Sequence, residues 1–159
     1  MLSKLLRVAF IVVFAGYSFT LLSAYFSYIE PYLFPLRMIQ GEARYVTENI
    51  IIGPYPHEKD IEKLVKVEKV KIIISLLNPS IPFEGSLVKK EREIAQKYGL
   101  KFYNFPMSYI GLDTKENNIQ VMKIKEVIRK HPGEKVYIHC YLGRHRVEFV
   151  ARKLIGDVK

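Results

Sequence analysis

The sequence predicts an α/β domain, a mostly parallel central sheet flanked by helices, preceded by one transmembrane helix. Three observations predict it. Short apolar runs of β type alternate with segments whose apolar residues recur at helical spacing, the pattern of a parallel sheet. One run, Val70 to Leu77, is nearly continuously apolar, as in a strand covered on both faces. Near the amino end, Val8 to Ile29 runs 22 residues without a charged side chain.

As a helix, residues 8–29 would be about 33 Å long, close to the hydrocarbon thickness of a bilayer. Tyr25, Phe26, Tyr28 and Tyr32 cluster at its far end, where aromatic rings favour a membrane interface. The run is longer than the apolar core of a signal peptide, and Leu22 spoils the small-residue cleavage site around Ala24. A retained single-pass anchor is therefore expected, with the lipid bilayer as its partner. Residues 1–7 form the tail outside it. Orientation stays open. Lys4 and Arg7 flank one side, Arg37 and Arg44 the other. The charge rule leans weakly toward an internal amino terminus, whereas thiol chemistry favours a domain on the reducing, cytoplasmic side. Residues 30–45 read as a juxtamembrane connector. Pro31 and Pro35 oppose a continuous helix, and Leu33, Phe34, Leu36, Met38 and Ile39 suit the bilayer surface or the domain.

The domain proper is expected over residues 46–159. Ile50–Ile52 reads as a short strand and Glu58–Val67 as a helix, with apolar residues at 61, 64 and 65. After the Val70–Leu77 strand, Pro79 and Pro82 mark Asn78–Gly85 as a loop. Ser86–Tyr98 is a Lys/Glu-rich helix ended by Gly99. Lys101–Phe105 is a strand, Thr114–Lys130 a helix, Val136–His139 a strand, and Arg146–Ile155 the last helix.

With 159 residues, 49% hydrophobic and 26% charged, the chain supports one folded domain plus an accessory segment. A single cysteine excludes an internal disulfide framework, and His57, His131, His139 and His145 lack zinc spacing around it. No metal or cofactor is expected. The net charge of +9 suits anionic partners, or else describes a Lys/Glu-rich solvated surface. No nucleic-acid-binding motif accompanies it. The oligomeric state is not legible.

The chemistry concentrates in Val136-Tyr137-Ile138-His139-Cys140-Tyr141-Leu142-Gly143-Arg144-His145-Arg146. A β-type run delivers the only cysteine, and an arginine follows six residues later at the start of a helix. Such a loop can wrap a phosphate. The thiol can attack phosphorus, helix-terminal N–H groups of Tyr141 to Arg146 can face the phosphoryl oxygens, and Arg146 offers a bidentate fork. Gly143 sits where the loop must turn sharply. The stretch resembles the His-Cys-x-x-Gly-x-x-Arg signature of the cysteine-dependent protein-tyrosine and dual-specificity phosphatase superfamily. The resemblance extends from Thr47 to Val158, through Asn49–Pro56, Val70–Leu77 and Phe102–Met107, although only the Cys140–Arg146 loop is specific.

That resemblance implies Cys140 as nucleophile, Arg146 as transition-state binder and His139 as a supporting residue. It also implies an aspartate acid on the loop after the strand ending near Met107. Asp113 is the only carboxylate between Phe102 and Thr114. The alternative for Asp113-Thr114, with Glu116 beyond, is a helix cap. Arg144 and His145 either enlarge the positive field or face solvent. Two departures stand out. Val147 occupies the position where the superfamily usually carries a hydroxyl that helps expel the thiolate, with Glu148 after it. Only 13 residues follow Arg146, so the closing helices are expected to be largely missing, their face covered by the membrane, the connector or a second subunit. Three functions are therefore in view. A membrane-anchored phosphomonoesterase acting on an anionic phospholipid comes first, phosphatidylglycerophosphate foremost, because a branch of the superfamily acts on it. A phosphatase of membrane phosphoproteins comes next, and a catalytically slow phosphate-binding module third.

Overall fold

The computed structural model describes residues 2–33, 35 and 38–156. Phe34, Leu36 and Arg37 of the expected connector, and residues 157–159 with Val158, lie outside the described residues.

Five strands form one sheet, β1 (Arg44–Thr47), β2 (Ile50–Gly53), β3 (Val70–Ser75), β4 (Lys101–Asn104) and β5 (Lys135–His139), in the order β1-β2-β5-β3-β4. β2, β5, β3 and β4 run parallel, and β1 alone is antiparallel at the β2 edge. β5 thus lies inside the sheet between β2 and β3, in register Ile52↔Ile138 and Ile74↔Ile138. Position 140, just past its carboxyl end, falls where parallel sheets bind ligands.

Helices cover both faces. α3 (Glu58–Lys66) and α4 (Pro82–Lys97) lie on one side; α5 (Lys115–Lys130) and α6 (His145–Ile155) lie on the other. The period-two alternation of β3 decides which side chain goes where. Ile72 and Ile74 join Val121, Ile124, Val136, Ile138, Val147 and Val150 beneath α5 and α6. Ile73 points the opposite way, to Ile61, Ile94 and Ala95 of α3 and α4.

Two elements differ from the sequence expectation. The sheet starts at Arg44, inside the segment read as connector, because Arg44 and Tyr45 pair with Ile52 and Ile51. Its exposed edge carries too little apolar signal for periodicity to reveal it. α4 begins at Pro82 and takes in part of the expected loop. Proline is compatible with the first helical position, where its missing N–H costs nothing. From Ile50 on, the remaining boundaries agree to within one or two residues.

Ahead of the domain, α1 (Leu2–Ala24) is long and apolar enough over Lys4–Ala24 to cross a membrane, and within that span Ser23 alone is buried in the protein. Thr20 and Ser23 bond back to the carbonyls of Gly16 and Phe19, so their hydroxyls cost little in an apolar helix. The helix breaks at Tyr25, short of Ile29, and resumes as α2 (Phe26–Ile29) and a 3₁₀ turn (Glu30–Tyr32). Phe83 of α4 receives Phe19 and Phe26 edge-on at 5.5 and 5.1 Å. Lys90 of α4 donates to the Ser27 carbonyl at 2.8 Å.

The sheet core sets a stability prediction. Ile138→Ala, at a fully buried central position, is expected to destabilise the domain by about 2–5 kcal/mol. Met122→Ala, at a 70% exposed site on α5, is expected to change stability by less than about 0.5 kcal/mol. Chemical unfolding of the two variants beside the parent checks both.

Candidate active site

The turn after β5 runs from Cys140 into α6, and Gly143 is its tightest point, with φ at +68°. A Cβ there would sit 2.4 Å from the Pro54 nitrogen and 2.7 Å from the Gly53 carbonyl carbon, so only glycine lets the loop lie on the β2 turn. The carbonyls on this side are turned outward. Tyr141 O accepts from Tyr55 N at 3.2 Å and from Gln40 Nε2 at 3.3 Å, and Leu142 O accepts from Gly41 N at 2.7 Å. In a planar trans peptide the next N–H points the other way. The N–H groups of Leu142 and Gly143 are thereby aimed away from those partners.

Cys140 is buried, 3% exposed, at the floor of a pocket of about 230 Å³. Tyr141, Leu142, His145 and Arg146 line it from the loop, Glu84 from α4 and Tyr109 from the segment after β4. Arg146 is held from behind. Its Nη2 donates to Glu84 Oε1 at 2.6 Å, and its Nη1 to Glu84 Oε2 at 3.1 Å and Leu76 O at 3.0 Å. Burial works against its charge. Hydrogen bonding and attraction from Glu84, with Cys140 adding, outweigh that and hold the guanidinium above its ordinary range. Glu84 is itself fixed by the Asn78 N–H at 2.6 Å.

His139 lies fully buried behind the nucleophile, its Nε2 2.6 Å from Glu91 Oε1, which is equally buried. The contact is close but poorly aligned for a hydrogen bond. Tyr137 stacks on the imidazole at 5.9 Å and Tyr55 meets it edge-on at 5.8 Å. Burial, then the Glu91 and Glu30 charges, push the Tyr55 phenol far up, so it stays a neutral donor. Tyr141 is fixed in a similar way. Its hydroxyl donates to Glu30 Oε1 at 3.2 Å, and burial followed by the Glu30 charge pushes its pKa up. Glu30, fully buried, comes from the turn just after the apolar helices and also lies 3.4 Å from His57 Nε2.

The other expected residues divide. His145 reaches the pocket wall, while Arg144 is exposed at the start of α6 and is not part of the lining. Asp113 is not brought to the thiol. Its Oδ1 accepts from Asn118 Nδ2 at 2.7 Å and from Lys153 Nζ at 3.3 Å, which together lower its pKa. The cap of α5 is Thr114, whose hydroxyl accepts from Asn117 N. Val147 is fully buried against the sheet, and Glu148 forms a two-pronged pair with Arg44 at 2.7 and 2.8 Å.

Three contributors escaped sequence reasoning. Glu84 lies in a stretch read as a loop; a glutamate two residues after a helix-starting proline was the available signal. Glu30 offered none beyond being a charge amid apolar residues. Asn117, 1% exposed, holds both the N–H and carbonyl of Ser108 and the carbonyl of Leu112, and so shapes the loop that carries Tyr109. Among the described residues, no group of three or more His, Cys, Asp or Glu gathers as a metal site would.

No protein-family model matches the chain, and no curated protein matches it. Its fold is found among solved phosphatase domains. The core catalytic domain of the PP-IP phosphatase SIW14 from S. cerevisiae, solved with citrate, has a TM-score of 0.59 at 20% identity, covering 74% of this chain and 66% of that one. The chain thus spans about two thirds of that domain. A DUF442 phosphatase candidate from Shewanella putrefaciens CN-32 has a TM-score of 0.58 at 17% identity over 74% of each chain. A second structure of it has a TM-score of 0.57 at 17% identity, covering 72% of this chain and 69% of that one. The α/β fold expected from the alternation of strands and helices is the fold the chain has.

The Arg146 fork predicts a binding loss. Arg146→Lys replaces a planar pair of donors by a point charge. Affinity for vanadate, measured calorimetrically, is expected to fall roughly ten- to hundredfold, the equivalent of one charged hydrogen bond. Undiminished affinity would remove the fork from oxyanion binding.

Proposed function

We propose that the chain is a cysteine-dependent phosphomonoesterase held at a membrane by the apolar helix over Lys4–Ala24. It removes phosphate from an anionic phospholipid headgroup, phosphatidylglycerophosphate being the first candidate. The observation that carries the reading is that Cys140 and Arg146 line one pocket, the guanidinium fixed by Glu84 and the Tyr141 and Leu142 carbonyls taken up by Tyr55, Gln40 and Gly41. The α1–α2 junction packs on the same helix, α4, that supplies Glu84. An anchor so placed raises the local concentration of a membrane substrate without any new contact. A single buried thiol suits the reducing side of that membrane.

In the reaction, Cys140 Sγ attacks phosphorus, an S–P bond forms and the P–O bond to the leaving alcohol breaks. The loop N–H groups and Arg146 hold the three equatorial oxygens, where charge builds up. Water then attacks the cysteinyl phosphate, the S–P bond breaks, and inorganic phosphate leaves with the thiolate restored. With Val147 packed in the core, no hydroxyl from that position assists the second step. The leaving oxygen takes its proton from Asp113. This requires the Ser108–Asp113 loop, whose Tyr109 already reaches the pocket, to close and exchange Lys153 for the substrate.

Two arms of one assay test the assignment. Phosphate release is measured from phosphatidylglycerophosphate in micelles and from a phosphotyrosine peptide, each against Cys140→Ser. Cys140-dependent release from the lipid is expected to dominate. Preference for the peptide would make the protein a phosphoprotein phosphatase. No release from either, with vanadate still bound, would make it a slow phosphate-binding module. Asp113→Asn is expected to lower turnover by about 10²–10⁴ while vanadate affinity holds. An unchanged rate would leave Asp113 a surface ion-pair residue at the start of α5.

A further inference from the structure

The phosphate pocket has a neighbour across Glu84 and Tyr141. It shares Glu84 and Tyr141 with a second cavity of about 190 Å³, whose other walls are Phe26, Phe83 and Leu87. The polar ends of the two shared residues are engaged elsewhere. The Tyr141 hydroxyl is turned to Glu30 and the Glu84 carboxylate to Arg146. What they offer this cavity is a ring face and a methylene stem. Phe26 follows directly on the apolar helix, and Phe83 touches both Phe19 and Phe26. The cavity therefore lies between the reacting thiol and the end of the span that is long enough to cross a membrane.

Resting on the phosphomonoesterase reading, we infer that this second cavity is a binding lane for the hydrocarbon next to the scissile phosphate. The substrate class is then the phosphate monoester of an amphiphile whose carbon chain begins next to the phosphate, unlike phosphatidylglycerophosphate, where a glycerol and a second phosphate intervene; its phosphate lies on the Cys140 loop and its apolar part along Phe26, Phe83 and Leu87. Charge complementarity and continuity both favour this occupant. The anionic end meets Arg146, and the lane beyond it is apolar and opens toward the aromatic residues at the end of the apolar helix. A phosphopeptide fits poorly. Its backbone amides would be stripped of water among carbon atoms and left without partners. A hydrocarbon loses nothing on entering and gains by leaving water.

The test uses non-hydrolysable probes and the full chain in a lipid nanodisc. Binding of ethyl, butyl and hexyl phosphonate is measured by titration calorimetry, with empty nanodiscs subtracting partition into lipid. Affinity is expected to rise about fourfold for each methylene that enters the lane. The rise is expected to shrink by at least half in Phe83→Ala and in Leu87→Ser, with thermal melting confirming that both variants are folded. A flat series with ethyl phosphonate still bound overturns the lane and leaves the phosphatase reading standing. A rise that persists undiminished in both variants also overturns it. Failure of even ethyl phosphonate to bind overturns the lane together with the phosphate site beneath it.

Discussion

The phosphate loop has its shape because it is pressed against the β2 turn. Gly143 lies so close to Gly53 and Pro54 that no side chain fits between them, and the constraint propagates outward. With the loop fixed there, the carbonyls of Tyr141 and Leu142 meet Tyr55, Gln40 and Gly41, which turns the following N–H groups away from these partners. The same placement starts α6 so that Arg146 falls within reach of Glu84, Leu76 and Met107. Preorganisation of this kind lets a site act on developing charge without rearranging at the moment of reaction. An alanine at 143 would strain the backbone and collide with Pro54 at once.

The sequence revealed the fold where local pattern and long-range burial coincide. β3 and β5 are apolar on both faces because helices cover them on both sides, so their runs are nearly continuous and easily recognised. The helices declare themselves through spacing, and α4 is misjudged only at its proline-led first turn. β1 is the opposite case. It is a half-exposed edge strand whose identity comes from pairing with β2, and pairing leaves no mark in a single sequence. The reacting residues follow the same rule. Cys140, Gly143 and Arg146 are local to one another and were legible. Glu84, Asn117 and Glu30 act across 62, 9 and 111 residues of separation, and only the folded chain brings the farthest of them to the loop.

Val147 and Glu148 look like departures when read against a motif, but each has a structural occupation. Val147 fills the core between α6 and the sheet. Glu148 pairs with Arg44 and so ties α6 to the edge strand. Position 147 is thus committed to packing, and in the proposed reaction the second step rests on the loop N–H groups and Arg146. Arg44 is committed as well. Its guanidinium is taken up by the Glu148 carboxylate.

The link between the apolar helix and the reacting loop is the least expected feature, and it follows from desolvation. Glu30 is fully buried. A carboxylate in that position is tolerable only with polar partners, and it finds them in the Tyr141 hydroxyl and the neighbouring His57. Tyr141 is the residue next to the nucleophile. Moving the helix end would therefore strip Glu30 of a partner or drag Tyr141, and the Cys140 loop with it. The Lys90 bond to Ser27, the Phe83 contacts and the Gly41 bond to Leu142 add further ties along the same seam. The segment from Phe26 to Gly41 thus includes working parts of the site, because the loop that holds the thiol takes several of its partners from it.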